Sequence, residues 1–109
     1  MTESVFRELA ECIAQRKEHY EEGSYTCYLF EKGRDKILKK IGEESSEVII
    51  AAKNNSSEDL AGEIADLAYH VLVLMEDYGV PLEQVEEILR ERSKKIGNLK
   101  TFHQVDKNT

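Results

Sequence analysis

Two pairs of carboxylates in this 109-residue sequence stand where carboxylates are costly. Glu44 and Glu47 are three apart, and so are Glu63 and Asp66, with His70 four beyond. On a helix those spacings form a single row. Along the run carrying Ile37, Ile41, Val48 and Ala52, Glu44 falls within about 20° of Ile37, inside the apolar stripe, and Glu47 flanks it. Glu63, Asp66 and His70 share an edge with Leu67 and Leu74. An isolated charge on a core-facing stripe is very costly, so protonation, a basic partner or a metal must neutralise it. Two like charges about 5 Å apart repel by roughly 3 kcal/mol at an effective dielectric of about 20, so four convergent acids call for a cation. All-oxygen donors without a thiolate indicate a hard divalent ion, Mg²⁺ first and Mn²⁺ second. The di-iron carboxylate pattern is excluded, because Leu67 and Arg16 stand where a glutamate would precede His70 and His19. A plainer arrangement has the same spacing: Glu44 paired with Lys40, and Glu63 and Asp66 on a solvated edge.

Helices must position these groups. Val5, Leu9, Cys12 and Ile13 mark a first helix over about 4–19, with Ser4 as its cap. Glu22-Gly23-Ser24 is a break, and a short apolar piece from Cys27 to Phe30 leads to a second break at Lys32-Gly33. A second long helix runs over about 34–53 and a third from Ser56 or Ser57 to Tyr78, stopping at Gly79. Pro81 suits the first turn of a fourth, with Leu82, Val85, Ile88 and Leu89 facing inward. Short turns make the neighbours antiparallel, hence an all-α bundle of four main helices over residues 1–97, followed by a polar, aperiodic tail over 98–109. Leu67 to Met75 is apolar on nearly every face, more than three other helices can cover, so the core is expected to be completed by a homodimer.

The net charge of −7 is unevenly spread. Residues 32–40 carry +4 and 90–109 carry +4, whereas Glu43 to Glu87 carries −11 with Lys53 as its one base. This balance disfavours nucleic acid phosphates and anionic membrane as partners, but not a metal-chelated nucleotide. No apolar run has the roughly 18 residues of a membrane span, and residues 1–4 lack a signal-peptide pattern, so a cytoplasmic protein is expected. Cys12 and Cys27 have no metal-site or disulfide spacing and are expected as small hydrophobes.

The elements Ser24-Tyr25-Thr26, Lys40-Ile41-Gly42-Glu43-Glu44, Glu47, Glu63-x-Ala65-Asp66-Leu67 and Tyr69-His70, with 15 residues between Glu47 and Glu63, closely resemble the phosphoribosyl-ATP pyrophosphatases. These are MazG-like all-α nucleotide pyrophosphohydrolases of histidine biosynthesis, and the match covers about residues 9–97. The resemblance implies hydrolysis of phosphoribosyl-ATP between the α and β phosphates by a usually dimeric enzyme of the stand-alone form. It implies Mg²⁺ on Glu44, Glu47, Glu63 and Asp66, with Glu43 holding a second metal or orienting water. Lys40, one turn before Glu44, is in reach of a substrate phosphate; Lys53, Arg92 and Lys95 are further basic candidates. Tyr25 and Thr26 are expected to line the nucleotide pocket, and His70 to be either a structural residue or a general base. Two other readings remain: a house-cleaning hydrolase of another nucleoside triphosphate, and a non-catalytic helical dimer whose acids form a solvated patch.

Overall fold

Three serines set where helices begin. The structure, a computed structural model, describes residues 4–95. Ser4 accepts a hydrogen bond from the Arg7 amide (3.2 Å) and opens α1 (Val5–Glu18); Ser24 accepts from the Cys27 amide (3.1 Å) and opens α2 (Tyr25–Lys32). Ser56 accepts from the Asp59 amide (3.2 Å) and opens α4 (Ser57–Tyr78). Each satisfies an amide that the first turn leaves without a helical partner. Between them lies α3 (Arg34–Lys53), and α5 (Leu82–Ser93) follows Pro81, which stands at the N-cap, one residue earlier than expected.

The described residues are thus all-helical in five helices and contain no strand. The four long helices match their expected spans closely, and the short apolar piece after Ser24 is itself a helix. Gly33 closes α2 and opens α3 with φ 98° and ψ 179°, a combination essentially reserved for glycine. That hinge sets the angle at which α2 crosses α3. Gly79 ends α4 in the left-handed conformation, its amide and that of Val80 both donating to the Met75 carbonyl.

The most extensive helix pairing is α3 with α4. Arg34, at the start of α3, donates to Asp77 near the end of α4 (2.8 Å), and its guanidinium lies 4.4 Å from the centre of the Tyr78 ring, so the two helices run antiparallel. Against this hairpin pack α1 and α2, and the core forms where the four meet: Ile13, Leu29, Ile37, Leu72 and Val73, with Leu9, Phe30, Ile41 and Leu74 around them.

Some expected core positions face outward. Val5 and Cys12 of α1 are exposed, leaving Leu9 and Ile13 as its inward residues, and Ile88 and Leu89 of α5 are exposed as well. For Ile88 and Leu89 the physical reason lies in α5 itself, which packs on the others with few contacts and leaves a groove of about 410 Å³ lined by Phe6, Ile64, Leu67, Val71, Leu82 and Val85. Cys27 is buried as expected, but is more than a hydrophobe: its thiol donates to the Arg16 carbonyl (3.4 Å) and accepts from the Glu21 amide (3.3 Å). No described helix is long and apolar enough to cross a membrane. The tail expected over 98–109 lies outside the described residues.

Candidate active site

Antiparallel packing sets the middle of α3 beside the first half of α4, and Glu44 thereby meets the Glu63–Asp66 row. One carboxylate oxygen from each of Glu44, Glu63 and Asp66 lies within 4.8 Å of the other two. Glu44 and Glu63 are half-buried, whereas Asp66 is exposed. Burial, the charge of Glu47 and a hydrogen bond with Glu44 hold the Glu63 carboxyl above its ordinary value. Three of the four acids expected to converge are thus brought together. Glu47 stands outside the tight group and is exposed, yet close enough for its charge to act on Glu63.

A divalent cation fits this donor set. Three carboxylate oxygens converge at a spacing that one ion can span, no thiolate intrudes, and the mutual repulsion of the acids is what a cation would relieve. Exposed acidic groups also cluster without an ion, so the fit rests on the half-buried pair Glu44 and Glu63 rather than on number.

Lys40 lies one turn before Glu44 and pairs with both Glu43 (3.3 Å) and Glu44 (3.8 Å). The hydrogen bond with Glu43 raises its pKa, fixing it as an ammonium at the edge of the cluster. The plainer arrangement from sequence is thus half present: Lys40 does pair with Glu44, while Glu63 and Asp66 are drawn into the acidic group. Glu43 faces Lys40 rather than joining the three carboxylates.

On the other side of Lys40 stands α2. The Tyr25 hydroxyl lies 3.0 Å from Nε2 of His70, and the Thr26 hydroxyl is hydrogen-bonded to that of Tyr69. Tyr25 stacks on Tyr28 and Tyr69, with ring centres 5.9 and 6.1 Å apart. Burial raises the Tyr25 pKa, against the opposing fields of Lys40 and Lys36, so its hydroxyl is protonated at neutral pH and lies within the electrostatic reach of the site. Tyr28, half-open to solvent, has Lys32 and Lys36 at 5.8 and 5.9 Å from its ring centre. Tyr28 was not singled out from the sequence, and Tyr69 only as part of the Tyr69-His70 element with no role; the signal was Tyr25-x-x-Tyr28, which puts both rings on one side of a helix, and Tyr69 three beyond Asp66.

The remaining basic candidates are not gathered here. Lys53 is exposed at the last turn of α3, and Arg92 and Lys95 are exposed at the end of α5 or beyond it. His70 is buried with both ring nitrogens engaged, the second at 2.8 Å from the Asp66 carbonyl, which leaves no nitrogen open to act as a general base.

Residues 6–93 match the family profile described as phosphoribosyl-ATP pyrophosphohydrolase. The chain is similar to the phosphoribosyl-ATP pyrophosphatase of Clostridium novyi, with 54% identity over 88% of this chain and 87% of that protein. It is 56% identical to the enzyme of the same name from Clostridium botulinum, over 89% and 88%. It also matches the histidine biosynthesis bifunctional protein HisIE of Lactococcus lactis at 52% identity, over 91% of this chain and 47% of that protein.

Proposed function

The chain belongs to the phosphoribosyl-ATP pyrophosphohydrolase family, and from that premise we propose how its residues divide the work of hydrolysing phosphoribosyl-ATP. The reaction, a step of histidine biosynthesis, breaks the bond between the α and β phosphates and gives phosphoribosyl-AMP and pyrophosphate. Its difficulty is electrostatic: water must approach a phosphorus screened by negative oxygens, and charge must be neutralised as the leaving group departs.

Glu44, Glu63 and Asp66 would hold Mg²⁺, with Glu47 completing the set and Mn²⁺ as the nearest substitute. When bound there, such an ion supplies neutralisation of the phosphate oxygens and a lowered pKa for attacking water. The observation that carries the assignment is the convergence of three carboxylates from α3 and α4 within 4.8 Å. Lys40 offers a fixed positive charge to a phosphate oxygen, and Glu43 keeps it beside the cluster. Tyr25 and Thr26 belong to the wall of the nucleotide pocket. Lys53 and Arg92, exposed at the ends of their helices, would contact substrate outside this cluster.

A second subunit is part of the proposal. The groove between α4 and α5 is almost wholly apolar, and Phe6, Ile64, Val71 and Leu89 along it remain exposed. A second copy laid on it would bury what one copy leaves in water, which supports a homodimer. We place the enzyme in the cytoplasm, where its nucleotide substrate is made.

Pyrophosphate release from phosphoribosyl-ATP, dATP and dUTP in Mg²⁺ tests the substrate. Phosphoribosyl-ATP is expected to be hydrolysed far faster than the other two; equal rates on all three would make the chain a general house-cleaning hydrolase instead.

A further inference from the structure

His70 is the one buried polar or charged side chain among the described residues, and both of its ring nitrogens have a defined partner. The partner of Nδ1 is the Asp66 backbone carbonyl at 2.8 Å. A carbonyl oxygen only accepts, so Nδ1 carries the ring proton and donates it. In the neutral ring Nε2 is then a bare lone pair. It can only accept, and its partner at 3.0 Å is the Tyr25 hydroxyl, so Tyr25 is the donor. The Tyr25 and His70 rings meet edge to face with centres 5.7 Å apart, and Tyr69 packs on His70 at 4.9 Å, which holds the imidazole in this orientation.

The direction of this relay has a chemical consequence. Once its proton is committed to His70, the Tyr25 oxygen has only lone pairs to offer. Ionised phosphate oxygens also have only lone pairs, so the two cannot bond. Lys40, the cation that acts most strongly on Tyr25, is already held by Glu43 and Glu44. We propose that His70 is a positioning residue: it keeps the Tyr25 O–H turned inward, so that the Tyr25 oxygen faces the site as an acceptor for a hydroxyl or amino group of the nucleotide and not for its phosphates. This deepens the reading of the site as a phosphoribosyl-ATP hydrolase and rests on it for the identity of the ligand. Tyr25 thereby selects on the sugar or base side of the substrate, while Lys40 and the carboxylates deal with the phosphates.

Two measurements on the full chain test this. Nitrogen-15 spectra of the imidazole are expected to show His70 protonated at Nδ1 and bare at Nε2; a proton on Nε2 overturns the proposal whatever the enzyme hydrolyses. In steady-state kinetics with phosphoribosyl-ATP, Tyr25→Phe is expected to raise KM roughly ten-fold, the effect of about one hydrogen bond, and to leave kcat within about two-fold. His70→Phe should do the same, should add nothing in the Tyr25→Phe background, and should be largely rescued in His70→Gln, whose amide oxygen can accept in place of Nε2. Additive effects of His70→Phe and Tyr25→Phe on KM, or a loss confined to kcat, would overturn it; where His70→Phe does not fold, His70→Gln carries the test by itself, a KM near wild type being expected and a KM raised about ten-fold overturning the proposal. A wild-type chain that fails to hydrolyse phosphoribosyl-ATP would refute the activity and leave the spectra to judge the relay.

Discussion

The two edges of α4 are built from interleaved residues and behave in opposite ways. Along one edge Glu63, Asp66, Tyr69 and His70 are polar, and each is engaged with α2 or α3 or with a neighbour on its own helix. Along the other edge Ile64, Leu67, Ala68 and Val71 line an apolar groove that α5 covers poorly. A helix repeats every 3.6 residues, so a single sequence can serve two masters three and four positions apart. The difference teaches what each edge lacks. The polar edge has crowded like charges, which a small cation would relieve; the apolar edge has unburied hydrocarbon, which a protein surface would cover. One segment, Glu63 to Met75, thus carries part of the proposed metal site and of the proposed assembly.

The sharpest way to break this division is to remove a charge from the polar edge. Asp66→Asn or Glu63→Gln is expected to abolish most hydrolysis: outer-shell changes around metals cost about 10–100-fold, and losing a ligand itself should exceed roughly 100-fold. Without metal the same variants should melt no lower than wild type, because each takes a negative charge out of a repelling cluster. Activity and stability would then move apart. A variant with near wild-type hydrolysis in Mg²⁺ would show that the cluster is a solvated acidic patch.

A smaller effect is expected from charging the apolar edge. Val71 is 36% exposed in one copy and lies in the groove, where covering what remains is worth about 0.5–1 kcal/mol, roughly a third of the value for a whole side chain. Val71→Arg should convert a dimer to a monomer by light scattering at micromolar concentration, and should remove the dependence of melting temperature on protein concentration. The arginine can extend into water when the groove is open, so the monomer should keep its helical content. Wild-type mass retained in Val71→Arg would mean that the groove is not covered by a second copy.

How much of this was legible in the sequence differs between the edges for a physical reason. Glu44 inside the stripe of Ile37, Ile41 and Val48 announced itself, because helical period alone places it, and capping serines with terminal glycines placed the long helices almost to the residue. The eight residues of α2 were not legible as a helix: its buried residues, Cys27 and Leu29, lie two apart and so on nearly opposite sides, a spacing that does not show a helical stripe in so short an apolar run. The outward turn of Ile88 and Leu89 was hidden too, since periodicity shows that a helix has an apolar face and says nothing of whether another helix covers it. Lys40 meets Glu43 and Glu44 by helical spacing of three and four within α3, whereas the pairing of Tyr25 with His70 depends on how α2 is set against the other helices at Gly33, a tertiary fact. His70 itself was readable only as an anomaly, an imidazole among apolar neighbours.

The smallest expected effect is in the sign of the pH dependence. Glu63 on the polar edge has its carboxyl raised above the ordinary 4.5 by burial, then by the charge of Glu47. Glu83 on α5, which the Arg7 guanidinium meets at 2.6 Å, has its carboxyl lowered below 4.5, chiefly by that hydrogen bond. A raised carboxyl contributes stability that is present below the unfolded value and lost as pH rises through the folded one; a lowered carboxyl contributes stability present above the unfolded value and lost as pH falls through the folded one. In metal-free protein, the gain in melting temperature of Glu63→Gln over wild type should therefore grow as pH climbs past the carboxylate range, and added Mg²⁺ should reverse it. Glu83→Gln should melt lower than wild type at neutral pH, with the deficit closing in acid. Both shifts should be small, and that of the exposed Arg7–Glu83 pair should shrink further in salt of about 1 M, where charges are screened beyond roughly 3 Å. Parallel pH profiles for the two variants would mean that the acids of α4 do not repel as their spacing demands, and the contrast between the edges would lose its electrostatic half.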